Sequence, residues 1–329
     1  MSPAAPLIDP FGRTVRDLRV SVTDRCNLRC RYCMPAEGME WVPRDDVLTF
    51  EEITRVARIC VERFGFNGVR LTGGEPTVRV HLPVLVEMLA GLGVDLAMTT
   101  NGATLRLLAD DLRRSGLARV NVSCDSLRPE RFARITRRDM LAQVLDGIDA
   151  ALEAGFDPVK VNCVLMRGVN DDEIVDFAAF GRERGVGVRF IEFMPLDAEG
   201  GWGPDVVVPA TEVVERIDAV FPLEPVRRGA APATRYRYRD GGGEVGVIAS
   251  VTQPFCGTCD RVRLTADGQF RNCLFAVAET DLRARLRGGA GDDEVASAIA
   301  ADVAGKWAGH GIGQVTFIRP SRSMSQIGG

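Results

Sequence analysis

Histidine is nearly missing from this chain: His81 and His310 are the only two, and neither lies close in sequence to the cysteines discussed below. Lysine is scarcer than its partner cation, since Lys160 and Lys306 are the only lysines among 41 Lys and Arg residues. A single arginine is therefore weak evidence of function, and Lys160 carries more. Net positive charge is absent as well: a balance of -4 argues against a generic nucleic-acid binder. No apolar run approaches a membrane span, and Met1 to Pro10 lacks both a basic stretch and a long apolar core. The expectation is a soluble cytoplasmic protein with no membrane partner. The nine cysteines are an odd number in a long chain without a secretory signal, which excludes a disulfide framework.

The pattern that is present is alternation. Short valine-rich segments at Val15 to Val22, Gly68 to Thr72, Asp95 to Thr99, Arg119 to Ser123, Val159 to Val164 and Val188 to Phe193 alternate with stretches of helical period. Thr49 and Glu52 form a capping box ahead of Ile53, Val56, Ala57, Cys60, Val61 and Phe64, and Met140 to Ala154 and Asp171 to Arg184 end near Gly155 and Gly185. Six such units predict an α/β fold, a partial (β/α)6 TIM-type barrel over residues 1–200, with ligands gathering where the strands end. Those ends carry Thr72-Gly73-Gly74-Glu75-Pro76, Thr99-Thr100-Asn101-Gly102, Ser123-Cys124-Asp125-Ser126, Cys163 and Glu192-Phe193-Met194-Pro195. Gly200, Gly201, Gly203 and Pro204 then break the rhythm. A smaller region, 201–329, is expected to complete the barrel mouth, with a helix near Ala210 to Val220 and strands near Arg235 to Arg239 and Glu244 to Ser250.

Two cysteine triads stand out. Cys26, Cys30 and Cys33 share one short loop, and three thiolates so spaced can hold three irons of a four-iron cluster, leaving the fourth iron open to a small molecule. Structural zinc, which favours four ligands in two close pairs, fits this loop poorly. Cys256, Cys259 and, after 13 intervening residues, Cys273 form the second set. Here zinc with a distant fourth ligand and a second open-iron cluster both remain, although no further cysteine or histidine lies nearby in sequence. Of the other three, Cys60 and Cys124 read as core. Arg261 and Arg263 alternate on a strand, so both forked donors face one side.

The loop Cys26-x3-Cys30-x2-Cys33 with Tyr32 inside it, followed by Gly73-Gly74-Glu75-Pro76, resembles radical S-adenosylmethionine enzymes. With the second triad, the Arg261-x-Arg263 pair and the terminal Gly328-Gly329, the chain from Arg19 onward is similar to the GTP 3′,8-cyclase family, whose reaction opens molybdenum-cofactor biosynthesis. The resemblance implies two 4Fe–4S clusters, with Cys26, Cys30 and Cys33 holding one and Cys256, Cys259 and Cys273 the other. It implies S-adenosylmethionine bound at the first cluster and cleaved to a 5′-deoxyadenosyl radical, which takes hydrogen from C3′ of GTP. A C3′–C8 bond then gives 3′,8-cyclo-7,8-dihydroguanosine triphosphate, the second cluster holding the guanine. By the same resemblance Tyr32, Gly74, Ser123 and Met194 contact S-adenosylmethionine. Arg19, Arg70, Thr99, Lys160, Arg189, Arg261 and Arg263 contact GTP, and Arg261, Arg263, Gly328 and Gly329 serve catalysis. A homodimer and a downstream cyclic pyranopterin monophosphate synthase are implied too. The chain departs from the pattern at Gly68, where some members carry a lysine. The competing readings are another radical enzyme of this kind acting on a peptide or nucleotide, and a non-catalytic zinc or iron-sulfur module.

Overall fold

The computed structural model describes residues 5–227, 231–315 and 317–328. The six expected units are β1 (Asp17–Ser21), α1 (Phe50–Phe64), β2 (Gly68–Thr72), α2 (Leu82–Ala90), β3 (Asp95–Thr100), α3 (Ala109–Arg114), β4 (Arg119–Ser123), α4 (Pro129–Thr136), α5 (Leu141–Glu153), β5 (Val159–Leu165), α6 (Ile174–Arg184) and β6 (Gly187–Glu192). There follow α7 (Ala210–Asp218), β7 (Leu223–Pro225), β8 (Thr234–Tyr238), β9 (Glu244–Ile248), β10 (Arg261–Leu264), β11 (Gln269–Arg271), β12 (Thr280–Asp281), α8 (Leu282–Arg287), α9 (Asp292–Ala304) and α10 (Met324–Ile327).

Local chemistry accounts for the helix ends. Glu52 N–H donates to Thr49 Oγ1 at 3.2 Å and Thr49 N–H to Glu52 Oε2 at 2.8 Å, so the capping box satisfies two end donors of α1. Gly185 closes α6 at φ 70°, a left-handed cap that glycine adopts without a Cβ clash.

Strands β1 to β6 pair in chain order, all parallel. The later region joins the same sheet at both edges: β10 lies parallel beside β1, and β9 parallel beside β6. Antiparallel β11 and β12 extend one side, β8 and β7 the other, giving the order β12-β11-β10-β1-β2-β3-β4-β5-β6-β9-β8-β7. The end strands β12 and β7 pair with no further strand among the described residues, and the barrel stays open. The six-unit reading thus holds, while the region after 200 proves to be sheet as well as appendage.

Parallel strands wrapped by helices are commonly apolar on both faces. These strands are not. Leu18, Val20, Val69, Leu71, Val120, Val122, Val161, Cys163, Val188 and Phe190 pack outward into one core with Ile53, Val56, Cys60, Leu85, Val144, Ile148 and Phe177. Each such burial contributes about 1.5–3 kcal/mol. The alternate positions, among them Arg19, Arg70, Asn121, Lys160, Asn162 and Arg189, line an inner cavity. A period of two inside a parallel sheet gives a barrel with a polar interior.

Candidate functional site

The cavity measures about 560 Å3 and is lined by both cysteine triads and by Arg19, Tyr32, Arg70, Gly74, Thr99, Ser123, Lys160, Arg189, Met194, Arg261 and Arg263. All the candidate residues of the described chain except Gly328 thus share one space, although they are scattered from β1 to the segment after β11.

The first cysteine loop follows β1 and is held from below. A Cβ on Gly74 would stand 2.3 Å from the Arg25 carbonyl oxygen and 2.4 Å from that of Asp24. The glycine lets the two chains touch, and Gly74 N–H donates to Thr23 O at 2.7 Å and Glu75 N–H to Arg25 O at 2.8 Å. Glu75, fully buried, accepts from Thr77 N, Thr77 Oγ1, Thr100 Oγ1 and Asn101 N at 2.6–3.0 Å, tying the ends of β2 and β3 together. Asn101 is thereby aimed at the loop, its Nδ2 3.7 Å from Cys26 Sγ. Tyr32 O–H donates to Asp125 Oδ2 at 2.6 Å, and Asp125 Oδ1 accepts from Val164 N at 2.8 Å. Burial pushes the Asp125 carboxyl up to about 6. Glu75, Asn101 and Asp125 carry no assignment from sequence, and their position directly after inward-facing strand residues is the signal that marks them.

All three cysteines of this loop are free and half-buried. Burial raises Cys26 to about 11 and Cys33 to about 12. Three neighbouring thiolates in such a place need a metal to supply opposing charge. Among the described residues no three His, Cys, Asp or Glu side chains stand close enough to share a single ion.

The inner wall toward the start of the strands is cationic. Lateral register places Arg263 beside Arg19 and Arg19 beside Arg70, with Ala97 between Arg70 and Arg119. Arg70, Arg263 and Lys160 have neither a hydrogen bond nor an ion pair among the described residues, and the buried Nε atoms of Arg19, Arg70 and Arg263 have no acceptor. Burial, then the charges of Arg261 and Arg70, depresses Arg19 well below the usual arginine range. Burial and Arg261 pull Arg263 to about 10, and burial with Arg189 and Arg119 pulls Lys160 to about 8. Arg189 is engaged by Glu244, which Arg235 also meets at 3.3 Å, and Arg119 by Asp95. Gly68 sits between Asp17 and Asp95 in register, so no cation occupies that place. Arg119, Arg235 and Glu244 were missed, because an arginine in so arginine-rich a chain carries no local mark. Arg19 keeps one carboxylate, Asp17 Oδ1 at 3.8 Å from its Nε, so a row of half-buried to buried cations, of which Arg70, Arg263 and Lys160 have no carboxylate, suits a polyanion.

The second triad sits at the other end of the strands, Cys256 and Cys259 just before β10, which lies beside β1, and Cys273 just after antiparallel β11. Cys259 N–H donates to Cys256 O at 3.1 Å, and Arg261, stacked 4.7 Å from the Phe255 ring, donates to Cys259 Sγ at 3.4 Å. Arg13 holds the Cys256 carbonyl at 2.7 Å. Burial would raise Cys259, but Arg261 and Lys306 outweigh it and bring the thiol down to about 7. Although no histidine is near in sequence, one lies nearby in space, His310 lining the same cavity. Its Nε2 faces Ser250 O at 2.9 Å and its Nδ1 accepts from Ile312 N–H at 3.0 Å, so both ring nitrogens are engaged by backbone and neither is free for a metal. The expectation that Cys163 belongs with the mouth motifs is corrected by the structure. That residue is fully buried in the outer core, while its neighbours Asn162 and Val164 face the cavity. Cys60 and Cys124 are core, as expected.

The tail folds back onto the barrel. Ser325 bonds Cys33 from α10, and Gly328, at φ 82°, packs so closely that a Cβ would stand 2.9 Å from Thr72 Cγ2 and 3.2 Å from Ser21 Cβ. Gly329 lies outside the described residues.

Two sequence families match the chain: Radical SAM superfamily over residues 20–181 and Molybdenum Cofactor Synthesis C over 186–312. A GTP 3′,8-cyclase of Streptomyces coelicolor is 52% identical over 328 residues, covering 98% of this chain and 96% of that one. The GTP 3′,8-cyclase of Corynebacterium glutamicum is 48% identical, covering 98% and 89%. Among solved structures, Streptococcus suis SuiB bound to S-adenosylmethionine superposes with a TM-score of 0.59 at 12% identity, over 82% of this chain and 64% of that longer one. That last likeness concerns the fold alone.

Proposed function

The chain belongs to the GTP 3′,8-cyclases of the radical S-adenosylmethionine superfamily, and from that premise we propose how its own residues divide the work. The reaction converts GTP to 3′,8-cyclo-7,8-dihydroguanosine triphosphate, the first step of molybdenum-cofactor biosynthesis, with two 4Fe–4S clusters and S-adenosylmethionine as cofactors. When bound, the first cluster would supply one electron to S-adenosylmethionine and the second would give the guanine a metal to bind.

Cys26, Cys30 and Cys33 hold the first cluster, and Asn101 and the Leu28 N–H, 3.4 Å from Cys26 Sγ, moderate its sulfur charge. Tyr32, Gly74, Ser123 and Met194 surround S-adenosylmethionine at the strand ends, Tyr32 being braced by Asp125. Cys256, Cys259 and Cys273 hold the second cluster and present the guanine. The triphosphate is taken by Arg19, Arg70, Lys160 and Arg263, with Thr99, Arg189 and Arg261 beside them, and Arg119 fills the need left by Gly68. Arg261, Arg263 and Gly328 with Gly329 order the reacting groups, which is catalysis by positioning. Residues 1–200 act as the radical barrel and 201–329 as the part that selects the nucleotide. A cytoplasmic homodimer passing its product to a cyclic pyranopterin monophosphate synthase belongs to the same reading. Among the described residues no helix is long and apolar enough to cross a membrane.

The observation that carries the assignment is the shared cavity with cysteine triads on two sides and unpaired cations between them. The test is 5′-deoxyadenosine release by anaerobically reconstituted, reduced protein with GTP, ATP or no nucleotide, in the parent and in Arg263→Ala. GTP-specific release that Arg263→Ala loses, with both clusters still assembled, is expected. Release indifferent to the nucleotide, or unaltered in Arg263→Ala, would count against the division of roles.

A further inference from the structure

Lys306 is one of only two lysines, 4% exposed, and makes no ion pair with a carboxylate among the described residues. It follows α9, whose Val295, Ile299 and Val303 are buried in the core, and its own N–H donates to Val303 O at 3.0 Å. The stem is therefore anchored. Its Nζ donates to Arg261 O at 2.6 Å and to Asn272 O at 2.8 Å. Those two carbonyls have a particular place. β10 and β11 form an antiparallel hairpin whose pairing covers Arg263 with Arg271 and Leu264 with Phe270. Cys259 and Cys273 lie just beyond the open end of that hairpin, where the strands no longer hold each other. Arg261 is two residues after Cys259, and Asn272 is one before Cys273. One ammonium thus bridges the two cysteine-bearing arms where the sheet has stopped doing so. Asn272 Nδ2 donates to Asp302 O at 2.7 Å and fastens the same arm to α9.

Charge points the same way. A desolvated ammonium without a carboxylate is costly unless something nearby is negative. The anionic groups that act most strongly on Lys306 are the sulfurs of Cys259 and Cys273, with the Asp260 carboxylate also coupled to it, while Arg13 and Arg263 add positive charge. We infer that Lys306 is a positioning residue of the second triad: it sets the separation of Cys259 and Cys273 and balances their thiolates, so that their cluster is retained and more readily reduced. This rests on the reading that Cys256, Cys259 and Cys273 hold a 4Fe–4S cluster.

The experiment uses the full chain with Cys26→Ala, Cys30→Ala and Cys33→Ala, so that the second site is observed alone after anaerobic reconstitution with iron and sulfide. Roughly four irons per chain and a reducible cluster signal in electron paramagnetic resonance are expected. A protein without iron here removes the premise and the inference together, whatever Lys306 does. In that background Lys306→Met should release iron to a chelator about tenfold faster, the usual size of a second-layer effect on metal affinity. Its cluster should also show a more negative midpoint potential. Lys306→Gln keeps an N–H donor without the charge, so it should share the lowered potential while releasing iron more slowly than Lys306→Met. Should Lys306→Met fail to fold by circular dichroism, Lys306→Gln carries the potential comparison. A parental midpoint potential in Lys306→Gln, or a parental release rate in folded Lys306→Met, overturns the inference.

Discussion

Binding of GTP should weaken as pH rises through 8, and Lys160 should be the reason. In the protein alone burial, followed by Arg189, Arg119 and Arg70, holds its ammonium down to about 8 against an ordinary value of 10.5. A triphosphate reverses that balance, because opposite charge favours the protonated form. The sign follows: a group whose pKa rises on binding takes up a proton with the ligand, so affinity is full below pH 8 and declines above it. Each pH unit is worth about 1.4 kcal/mol, or tenfold, until the pKa of the complex is reached. From pH 7 to pH 9 the dissociation constant should therefore rise by roughly tenfold. The assay is equilibrium binding of GTP to anaerobic, reconstituted protein without S-adenosylmethionine, at constant ionic strength because exposed charges are screened by salt. Lys160→Arg is the baseline, since a guanidinium stays protonated across this window and any titration of the nucleotide itself appears equally in both proteins. Lys160→Met should bind more weakly at neutral pH by about 1.5–3 kcal/mol, the value of a hydrogen bond to a charged group, and follow the Lys160→Arg slope. A parent whose pH dependence matches that of Lys160→Arg would refute the reasoning.

Arg119→Ala should raise KM for GTP by roughly tenfold with little change in kcat or iron content, as expected for removal of one charged contact felt equally in ground and transition states. Its pairing with Asp95 is partly exposed, so thermal stability should barely move; an unaltered KM would return Arg119 to the role of a surface ion pair. Gly328→Ala places a Cβ 2.9 Å from Thr72 Cγ2 at a left-handed φ of 82°. That conformation costs a residue with a Cβ about 1–2 kcal/mol, so amide exchange along α10 should accelerate by roughly five- to thirtyfold while the barrel keeps its protection. A tail as protected as the parent's would contradict the close approach.

Much of the fold was legible because its signals are local. The Thr49 and Glu52 cap is formed as expected, β2 and β4 run over the predicted residues, and β1 is shorter than its apolar run only because Val15 and Val22 pack beyond the ladder. The edge placement of β9 and β10 was not legible. A strand's residues record which of its faces is buried, not which distant strand it will lie beside.

The same division runs through the site. Sequence by itself determined the first cysteine triad, since Cys26, Cys30 and Cys33 share one short loop, whereas Cys273 follows Cys259 after 13 intervening residues and joins Cys256 and Cys259 only in the fold. Only the tertiary structure decided that Arg119 joins the cationic row, that His310 is spent on backbone, and that Lys306 bridges the arms of Cys259 and Cys273. Charge and hydrogen bonding act over a few ångströms of space regardless of the chain length between partners. Those roles therefore came into being when the sheet curled and brought its edges to one cavity.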